Sequence, residues 1–463
     1  MKTTIHALLL ALLWHASAHQ LQAETGSATT GNVTVNTLLV SDSFSSRINL
    51  GSAATVNTAG GNTDATLEPG ENTFGDLSGA SVWYQWTAPA TGWVTIHTAG
   101  SELDTVLGIF TGATLAGLSE LGHNDESARG SDYSPSSTNP SRLVFEAQAG
   151  TTYQIAVHGW VDGDLGLPLE GTFELHIAPE PTPPFRVTAL SLTPSTVNLT
   201  TGAQNVSVSV SVAFETPLPD GDGFDVRICR PDGANEGSFV SFTSFHRTAG
   251  NASSGTYTRT VTMPRYLTPG NWPVVVNYRT DTGTGYDSVT WSPPGNDLRQ
   301  DDYLLPFASS LSVGNTGAVD TEPAALVSVS GFPATVDVSS GPVSFQVQVT
   351  VTDALAGFER GDVFGATVNN TYYSVGSFGA AQRTSGNAQS GTYSVPVTIT
   401  PTSLPNGTNY VSIDLYDAAF NSQSFSDRPN GSGLPIPPAG TDLKFEVIGA
   451  IATYQVDYVT VGK

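Results

Sequence analysis

The segment Val206-Ser207-Val208-Ser209-Val210-Ser211-Val212 alternates strictly between valine and serine. A β-strand turns successive side chains to opposite faces, so this period of two places the valines on one face and the serines on the other. The segment Phe345-Gln346-Val347-Gln348-Val349-Thr350-Val351 has the same pattern. Helical periodicity is nearly absent from the rest of the chain, whereas turn-forming residues are abundant, with 48 Gly and 29 Pro. These features predict an all-β protein built from sandwiches.

The two alternating strands belong to two copies of one unit. Three segments recur in the same order, 136 to 139 residues apart: 194–202 as 333–341, 247–257 as 383–393, and 267–274 as 404–411. The middle pair reads RTAGNASSGTY in one copy and RTSGNAQSGTY in the other. Ordered matches of this kind indicate a tandem duplication. We place the first repeat at 186–320 and the second repeat at 321–463.

Each repeat has the short alternating strands and the turn spacing that are typical of an immunoglobulin-like sandwich. The pair resembles the bacterial Ig-like repeats of secreted and cell-surface proteins. The Cys…Trp…Cys signature of true immunoglobulin domains is missing, since the chain has a single cysteine, Cys229. The resemblance implies two tandem Ig-like β-sandwiches.

A proline-rich run, Pro179-Glu180-Pro181-Thr182-Pro183-Pro184, separates the repeats from the region before them. Proline donates no backbone hydrogen bond and does not fit a helix interior, so the run predicts a linker at 179–185. At the start of the chain, Lys2, an apolar run at 7–14 and small residues up to Ala23 are typical of a secretory signal peptide. We expect residues 1–23 to be removed and the protein to be secreted into the extracellular space or held at the cell surface.

The charge of the chain narrows its possible partners. It has 41 Asp and Glu against 17 Lys and Arg, which gives a formal net charge of −24. Nucleic-acid binding needs basic residues that neutralise phosphates, and the sequence has no basic stripe. No segment beyond the signal peptide approaches the roughly 20 apolar residues of a membrane-spanning helix, so we expect no membrane insertion. The excess of carboxylates suits calcium binding, and it equally suits solubility.

The region 30–178 carries five separated motifs. In chain order they are SVWYQWTAP (81–89), GWVTI (92–96), LDTVLGIFTG (103–112), Asn124-Asp125 and AGTTYQIAVHG (149–159). The series resembles the bacterial pre-peptidase C-terminal domain, and it departs from that family at His158, where the family commonly has Asp. The resemblance implies a jelly-roll-like β-sandwich of a kind often attached to secreted peptidases.

The aromatic residues of this region have two interpretations. In Val82-Trp83-Tyr84-Gln85-Trp86 the period of two puts Trp83 on the face opposite to Val82, Tyr84 and Trp86, so both faces of the strand are apolar. We favour a packing role for most of these side chains. The candidates for exposed rings that stack on a sugar ligand are Trp83 and Trp160.

Calcium is the cofactor that the loop residues suit best, because it takes several oxygen ligands from carboxylates, amides and backbone carbonyls. Asp104, Asn124 and Asp125 form one candidate set, and the family resemblance implies that such domains sometimes bind calcium. A turn cap at Asp104 and an Asx turn at Asn124 would account for the same residues without a metal ion.

A second calcium candidate lies in the second repeat. Asp414, Asp417 and Asn421 occur in a segment that resembles the acidic strand-end loops of cadherin-like modules. In the first repeat, the spacing of Asp220 and Asp222 resembles the start of an EF-hand loop, but no glutamate stands at the distal ligand position, so a solvated turn is favoured there.

No sequence motif indicates a catalytic centre. HExxH, GxSxG, GxGxxG, a phosphate loop and a closely spaced Cys/His set are all missing. We therefore expect a non-enzymatic binding or structural protein whose partner is an extracellular protein or a polysaccharide. The alternatives are a carbohydrate-binding protein for polysaccharide capture and an accessory to a secreted peptidase that acts in trans.

Overall fold

The computed structural model describes residues 41–74, 78–125, 139–162, 166–218, 223–231, 237–281, 286–294, 302–366, 372–426 and 443–451. The part of the chain that the structure describes is all-β, with 59% of its residues in strands and 4% in helices. This composition confirms the predicted all-β class. The predicted signal peptide lies outside the described residues, as do Asp220 and Asp222.

The region before the proline-rich run has two layers of strands. They are β1 (Ile48–Asn49), β2 (Val56–Gly61), β3 (Ser78–Thr87), β4 (Gly92–His97), β5 (Thr105–Thr111), β6 (Ser119–Asn124), β7 (Arg142–Ala147), β8 (Thr152–Asp162), β9 (Leu167–Pro168) and β10 (Thr172–Pro179). One layer has the order β1-β3-β8-β5-β6, with β9 beside β8. The other layer has the order β7-β4-β10-β2 and is part of a longer sheet.

Strand β3, which the sequence predicts to be apolar on both faces, is buried on both of them. Tyr84 and Trp86 belong to the main core of this region, whereas Trp83 belongs to a smaller core on the other face. Phe74 covers that smaller core, where its ring lies over Gly108. A Cβ atom at Gly108 would stand 2.4 Å from Phe74 Cζ, so only glycine leaves room for the ring.

The first repeat also forms two layers. Its strands are β11 (Phe185–Thr193), β12 (Thr196–Asn198), β13 (Gln204–Phe214), β14 (Gly223–Cys229), β15 (Gly237–Thr243), β16 (Arg247–Gly250), β17 (Ser254–Met263), β18 (Gly270–Asp281), β19 (Tyr286–Ser292), β20 (Asp302–Leu304) and β21 (Ser310–Gly314). One layer has the order β11-β13-β17-β16. In the other, β18 pairs with β14, β19 and β21.

The second repeat has the same arrangement. Its strands are β22 (Ala325–Ser330), β23 (Thr335–Asp337), β24 (Val343–Thr352), β25 (Phe358–Ala366), β26 (Tyr372–Gly379), β27 (Arg383–Gly386), β28 (Ser390–Ile399), β29 (Gly407–Asp417), β30 (Ser422–Ser426) and β31 (Lys444–Ile448). The layers have the orders β22-β24-β28-β27 and β23-β31-β29-β25-β26. Short 3-10 turns precede β16 and β27 at Ser244–His246 and Ala380–Gln382. The alternating valines of β13 and β24 fill the two repeat cores.

The first repeat is joined to the N-terminal region by a shared sheet. Strand β20 lies beside β19 and, through the pair Tyr303 and Val144, beside β7. Leu304 packs into the N-terminal core. The rings of Trp93, Trp291 and Tyr303 meet at this junction, with centroid distances of 5.2 to 5.9 Å. We call these three rings the aromatic junction.

Two further predictions concern membrane-spanning helices and the linker at the proline-rich run. Among the described residues, no helix has the length and apolar character needed to cross a membrane. The proline-rich run connects β10 to β11, and the domain bounds assigned from the sequence stay a prediction.

Candidate functional site

Three aspartates from separate segments meet where the second repeat contacts the first. Asp320 lies between β21 and β22, Asp353 follows β24, and Asp417 ends β29. One carboxylate oxygen of each lies within 4.8 Å of the other two. Their exposed fractions are 5%, 7% and 1%. Within the described ranges this is the one group of three or more His, Cys, Asp or Glu side chains close enough to share a metal ion. We call it the carboxylate cluster.

The turn from Asp417 to Asn421 holds one member of the cluster in place. Asp417 Oδ1 accepts the backbone N–H of Ala419 at 2.7 Å and that of Asn421 at 2.9 Å. Its Oδ2 accepts a hydrogen bond from Asn421 Nδ2 at 2.8 Å. Phe420 adopts the left-handed conformation, with φ of 66°. An aspartate suits the end of this strand because its short side chain reaches the N–H groups of the turn that follows.

Backbone N–H groups also fix the other two carboxylates. Asp353 Oδ1 accepts the N–H of Leu355 at 3.0 Å and that of Gly357 at 2.7 Å. Asp320 Oδ2 accepts the N–H of Ala356 at 2.7 Å. Within the described ranges, both hydrogen bonds to the Asp353 side chain end at Oδ1, which leaves Oδ2 free of such a bond. One oxygen of the cluster is therefore available to a ligand.

Burial makes the negative charge of the cluster costly. Burial raises the pKa of Asp417 to about 6, and the nearby charge of Asp353 adds to this rise. Burial also raises the pKa of Asp353, with the charge of Asp320 acting in the same direction. A bound cation would offset both the repulsion and the lost hydration of these carboxylates.

The same turn contacts the first repeat. Ala419 is 3% exposed and belongs to the hydrophobic core of that repeat. Phe420 packs edge to face on Trp272, with ring centroids 6.2 Å apart. Arg230 Nη1 donates to Asn421 Oδ1 at 2.6 Å. The carboxylate cluster and the contact between the repeats therefore share one short turn.

The structure brings together two of the three candidates predicted in the second repeat. Asp417 and Asn421 are joined by hydrogen bonds, whereas Asp414 lies outside the cluster. Asp414 precedes Asp417 by three residues on β29, so the two side chains leave opposite faces of the strand. Asp414 Oδ1 instead accepts a hydrogen bond from Ser412 Oγ at 3.3 Å, and its neighbour on β25 is Asp362.

Sequence reasoning missed Asp320 and Asp353. For Asp353 a signal was present in the duplication. Its N–H donates to the carbonyl of Gln389, just as the N–H of Phe214 donates to the carbonyl of Ser253, the matching residue of the first repeat. At this position one copy has a carboxylate and the other has a buried phenylalanine. Asp320 lies in the connecting segment, outside the three matched segments.

The candidates predicted in the N-terminal region lie at one end of its sandwich. Asp104 directly precedes β5, Asn124 ends β6, and the register pairs Asn124 with Leu107. Asn124 is 1% exposed, and its Oδ1 accepts the N–H of Arg142 at 2.7 Å. Asp125 follows directly. Calcium binding by these three residues stays a prediction.

Of the two aromatic candidates, one is buried and one is partly exposed. Trp83 is 1% exposed, its ring packs edge to face on Phe44, and its Nε1 donates to Glu71 Oε1 at 2.7 Å. The prediction of an exposed Trp83 is therefore wrong, because the loop that carries Glu71 covers this face of the sheet. Trp160 is partly exposed, and its N–H donates to the carbonyl of Asp104 at 3.1 Å.

His158 is fully buried beside the same small core. Its Nδ1 lies 3.2 Å from Ser78 Oγ, and its ring packs edge to face on Phe74. Burial lowers the pKa of His158 to about 3, and the charge of His123 acts in the same direction. The imidazole is therefore neutral at physiological pH and serves as a packing residue.

Comparison with known proteins identifies no family. No family model matches the chain, and no curated protein matches it. One similar solved structure is the crystal structure of a DUF4785 family protein from Legionella pneumophila, with 11% sequence identity. The match covers 80% of this chain and 87% of that chain, with a TM-score of 0.19. A resemblance at this TM-score carries no argument about fold or function.

Proposed function

We propose that the chain is a non-enzymatic protein, secreted or held at the cell surface, whose modules bind or support an extracellular protein or polysaccharide. In this proposal the N-terminal region is a jelly-roll-like sandwich of the pre-peptidase C-terminal type, the two repeats are Ig-like sandwiches, and calcium stabilises the contact between the repeats. The observation that carries the calcium proposal is the carboxylate cluster, in which buried oxygens from three segments lie within 4.8 Å of one another.

The chemistry of the cluster favours calcium over transition metals. Its side chains offer oxygen atoms only, and no histidine or cysteine belongs to the group. Calcium prefers such hard oxygen donors and tolerates irregular geometry from flexible loops, whereas zinc and copper prefer nitrogen and sulfur. Each carboxylate is oriented by backbone N–H groups before any ion binds, which reduces the entropic cost of binding.

Calorimetric titration of the purified chain with calcium chloride tests this proposal. We expect one site per chain, and we expect Asp353→Asn to abolish it, because the substitution removes a charged ligand while its remaining oxygen still accepts the N–H groups of the loop. Asp337→Asn is the matched control, since Asp337 is an exposed carboxylate of the same repeat. Absence of a binding heat, or equal binding by Asp353→Asn and the wild type, would contradict the calcium proposal.

The non-enzymatic part of the proposal has its own test. It is supported by the lack of any catalytic motif in the sequence and by the structural use of buried titratable groups, such as Glu71, which accepts hydrogen bonds from Trp83 and Ser81. Hydrolysis by the purified protein of a peptide or glycan substrate, lost after a single point mutation, would overturn it.

Carbohydrate binding is a second candidate function, and the partly exposed Trp160 beside Asp104 favours it. A partly exposed aromatic ring can stack on the apolar face of a sugar. A glycan array probed with the wild type and with Trp160→Ala tests this function. Phe245→Ala is the control, since Phe245 is 84% exposed in the first repeat. An array without signal, or one unchanged by Trp160→Ala, would count against it.

A further inference from the structure

We infer that cation binding at the carboxylate cluster controls the docking of the second repeat on the first. This inference rests on the proposed calcium site and assigns it a regulatory consequence. The three carboxylates do not belong to one rigid element. The N–H of Asp320 donates to the carbonyl of Tyr266 in the first repeat at 2.9 Å, whereas Asp353 and Asp417 end strands of the second repeat. An ion shared by all three therefore bridges the repeats.

The bridged residues are directly connected to the docking contact. Asp417 begins the turn that places Ala419 in the core of the first repeat and Phe420 against Trp272. The N–H of Ala418 donates to the carbonyl of Gly357, at the end of the loop that Asp353 orients, at 2.9 Å. A change in the spacing of the carboxylates therefore reaches the turn from Asp417 to Asn421, which we call the docking turn, through direct hydrogen bonds.

Electrostatic repulsion gives the direction of the change. Without a cation the three buried carboxylates repel one another, and the repulsion acts between Asp320 on one side of the junction and the two aspartates on the other. Phe420 adds conformational strain, because a left-handed backbone is unfavourable for a side chain with a Cβ atom. Loss of the cation therefore favours release of the turn, and binding of the cation favours docking.

Thermodynamic linkage makes the coupling reciprocal. If the cation strengthens docking, then docking must strengthen binding of the cation by the same factor. A substitution that weakens docking without touching a carboxylate should therefore lower the calcium affinity. Phe420→Gly fits this purpose, since it removes the ring contact with Trp272 while glycine adopts a φ of 66° without strain.

Small-angle X-ray scattering and calorimetry of the full chain test the inference together. We expect the radius of gyration of the wild type to increase when calcium chloride is replaced by EGTA. We expect Phe420→Gly to bind calcium on the order of 10-fold more weakly than the wild type. At a calcium concentration that saturates the wild type but not this variant, the variant should have the larger radius of gyration that the wild type has in EGTA. Arg230→Gln, which weakens the bond to Asn421, should act in the same direction and serves if the first variant aggregates.

The outcomes separate the inference from the function on which it rests. Phe245→Ala changes an exposed ring of the first repeat and should leave both radius and affinity unchanged. If the wild type binds no calcium, the proposed calcium site fails. If it binds calcium while its radius is the same in EGTA, and if the docking variants keep wild-type affinity, the site stands and the inference is overturned.

Discussion

The first repeat meets its two neighbours through different chemistry. Toward the N-terminal region it presents the aromatic junction, where Trp291 is fully buried against Trp93 and Tyr303. Toward the second repeat it meets the carboxylate cluster and the docking turn at Phe420. Buried apolar surface stabilises an interface with little dependence on ions, whereas buried carboxylates make stability depend on cations and protons. If the carboxylate cluster binds calcium as we propose, the contact between the repeats depends on cations, whereas the aromatic junction does not.

The two repeats also differ at the residue that follows their long alternating strands. Phe214 and Asp353 follow equivalent strands and make the same backbone hydrogen bond. In the first repeat, Phe214 packs on Phe185 and Tyr278, with ring centroids 5.2 and 5.4 Å apart. In the second repeat, Asp353 joins a cluster of carboxylates instead. Equivalent positions of the two repeats therefore carry a packed aromatic ring in one and a buried carboxylate in the other.

The largest effect is expected at the aromatic junction. Trp291→Ala should lower the free energy of unfolding by about 3–5 kcal/mol, because it removes a fully buried tryptophan ring. Calcium should not change this loss. Urea denaturation with and without calcium measures it, and Phe245→Ala provides the control for an exposed ring. If the stability lost in Trp291→Ala depended on calcium, the two junctions would not differ in their response to calcium.

Removal of calcium should have the next largest effect. A ligand that binds only the folded state stabilises it by about 2.7 kcal/mol at a concentration 100 times its dissociation constant. The wild type should therefore melt at a higher temperature in calcium than in EGTA, and so should the control Asp337→Asn. Asp353→Asn should melt at one temperature in both buffers. A melting midpoint of Asp353→Asn that depends on calcium would show that the carboxylate cluster is not the calcium site.

The calcium-free protein should show an unusual pH response at the carboxylate cluster. Burial raises the pKa of Asp417 from 3.8 to about 6, so the folded state holds this proton more tightly than the unfolded chain between those values. The contribution of Asp417 to stability should therefore increase as the pH falls from 7 toward 4. We expect the wild type to gain stability relative to Asp417→Asn over this range in EGTA. A wild type that loses stability relative to this variant would contradict the assigned direction.

The smallest effect concerns the charge at Asp353. In EGTA at neutral pH, Asp353→Asn should be more stable than the wild type by about 1 kcal/mol, because one of three neighbouring negative charges is removed. In calcium the order of stability should reverse. Urea denaturation of both proteins in both buffers measures this reversal. The same order of stability in both buffers would show that repulsion within the cluster is negligible.

Local patterns in the sequence were sufficient to predict the all-β class and the apolar character of both faces of β3. They also predicted Asp417 and Asn421, which lie four residues apart on one turn. They did not predict Asp320 or Asp353, because these residues meet Asp417 only through the packing of separate segments. The pairing of Tyr303 with Val144 was equally invisible, since a single backbone pair between distant segments leaves no periodic pattern.

Exposure of Trp83 was predicted wrongly for a related reason. Alternation places Trp83 on the outer face of its sheet, and an outer face is ordinarily exposed to solvent. Here Phe44 and the loop with Phe74 add a second small core on that face. The covering segment has no strand pattern of its own, so the sequence of β3 cannot show that this face is covered.

Hydrogen exchange, measured at both junctions in one sample, shows whether the contact between the repeats depends on a cation while the aromatic junction does not. Peptides that cover the docking turn at 417–421 and the strand at 302–304 are compared in calcium and in EGTA. Our account predicts that chelation accelerates exchange at 417–421 and leaves 302–304 unchanged. Equal exchange at 417–421 in both buffers, or equal acceleration at both junctions, would contradict a cation-dependent contact between the repeats.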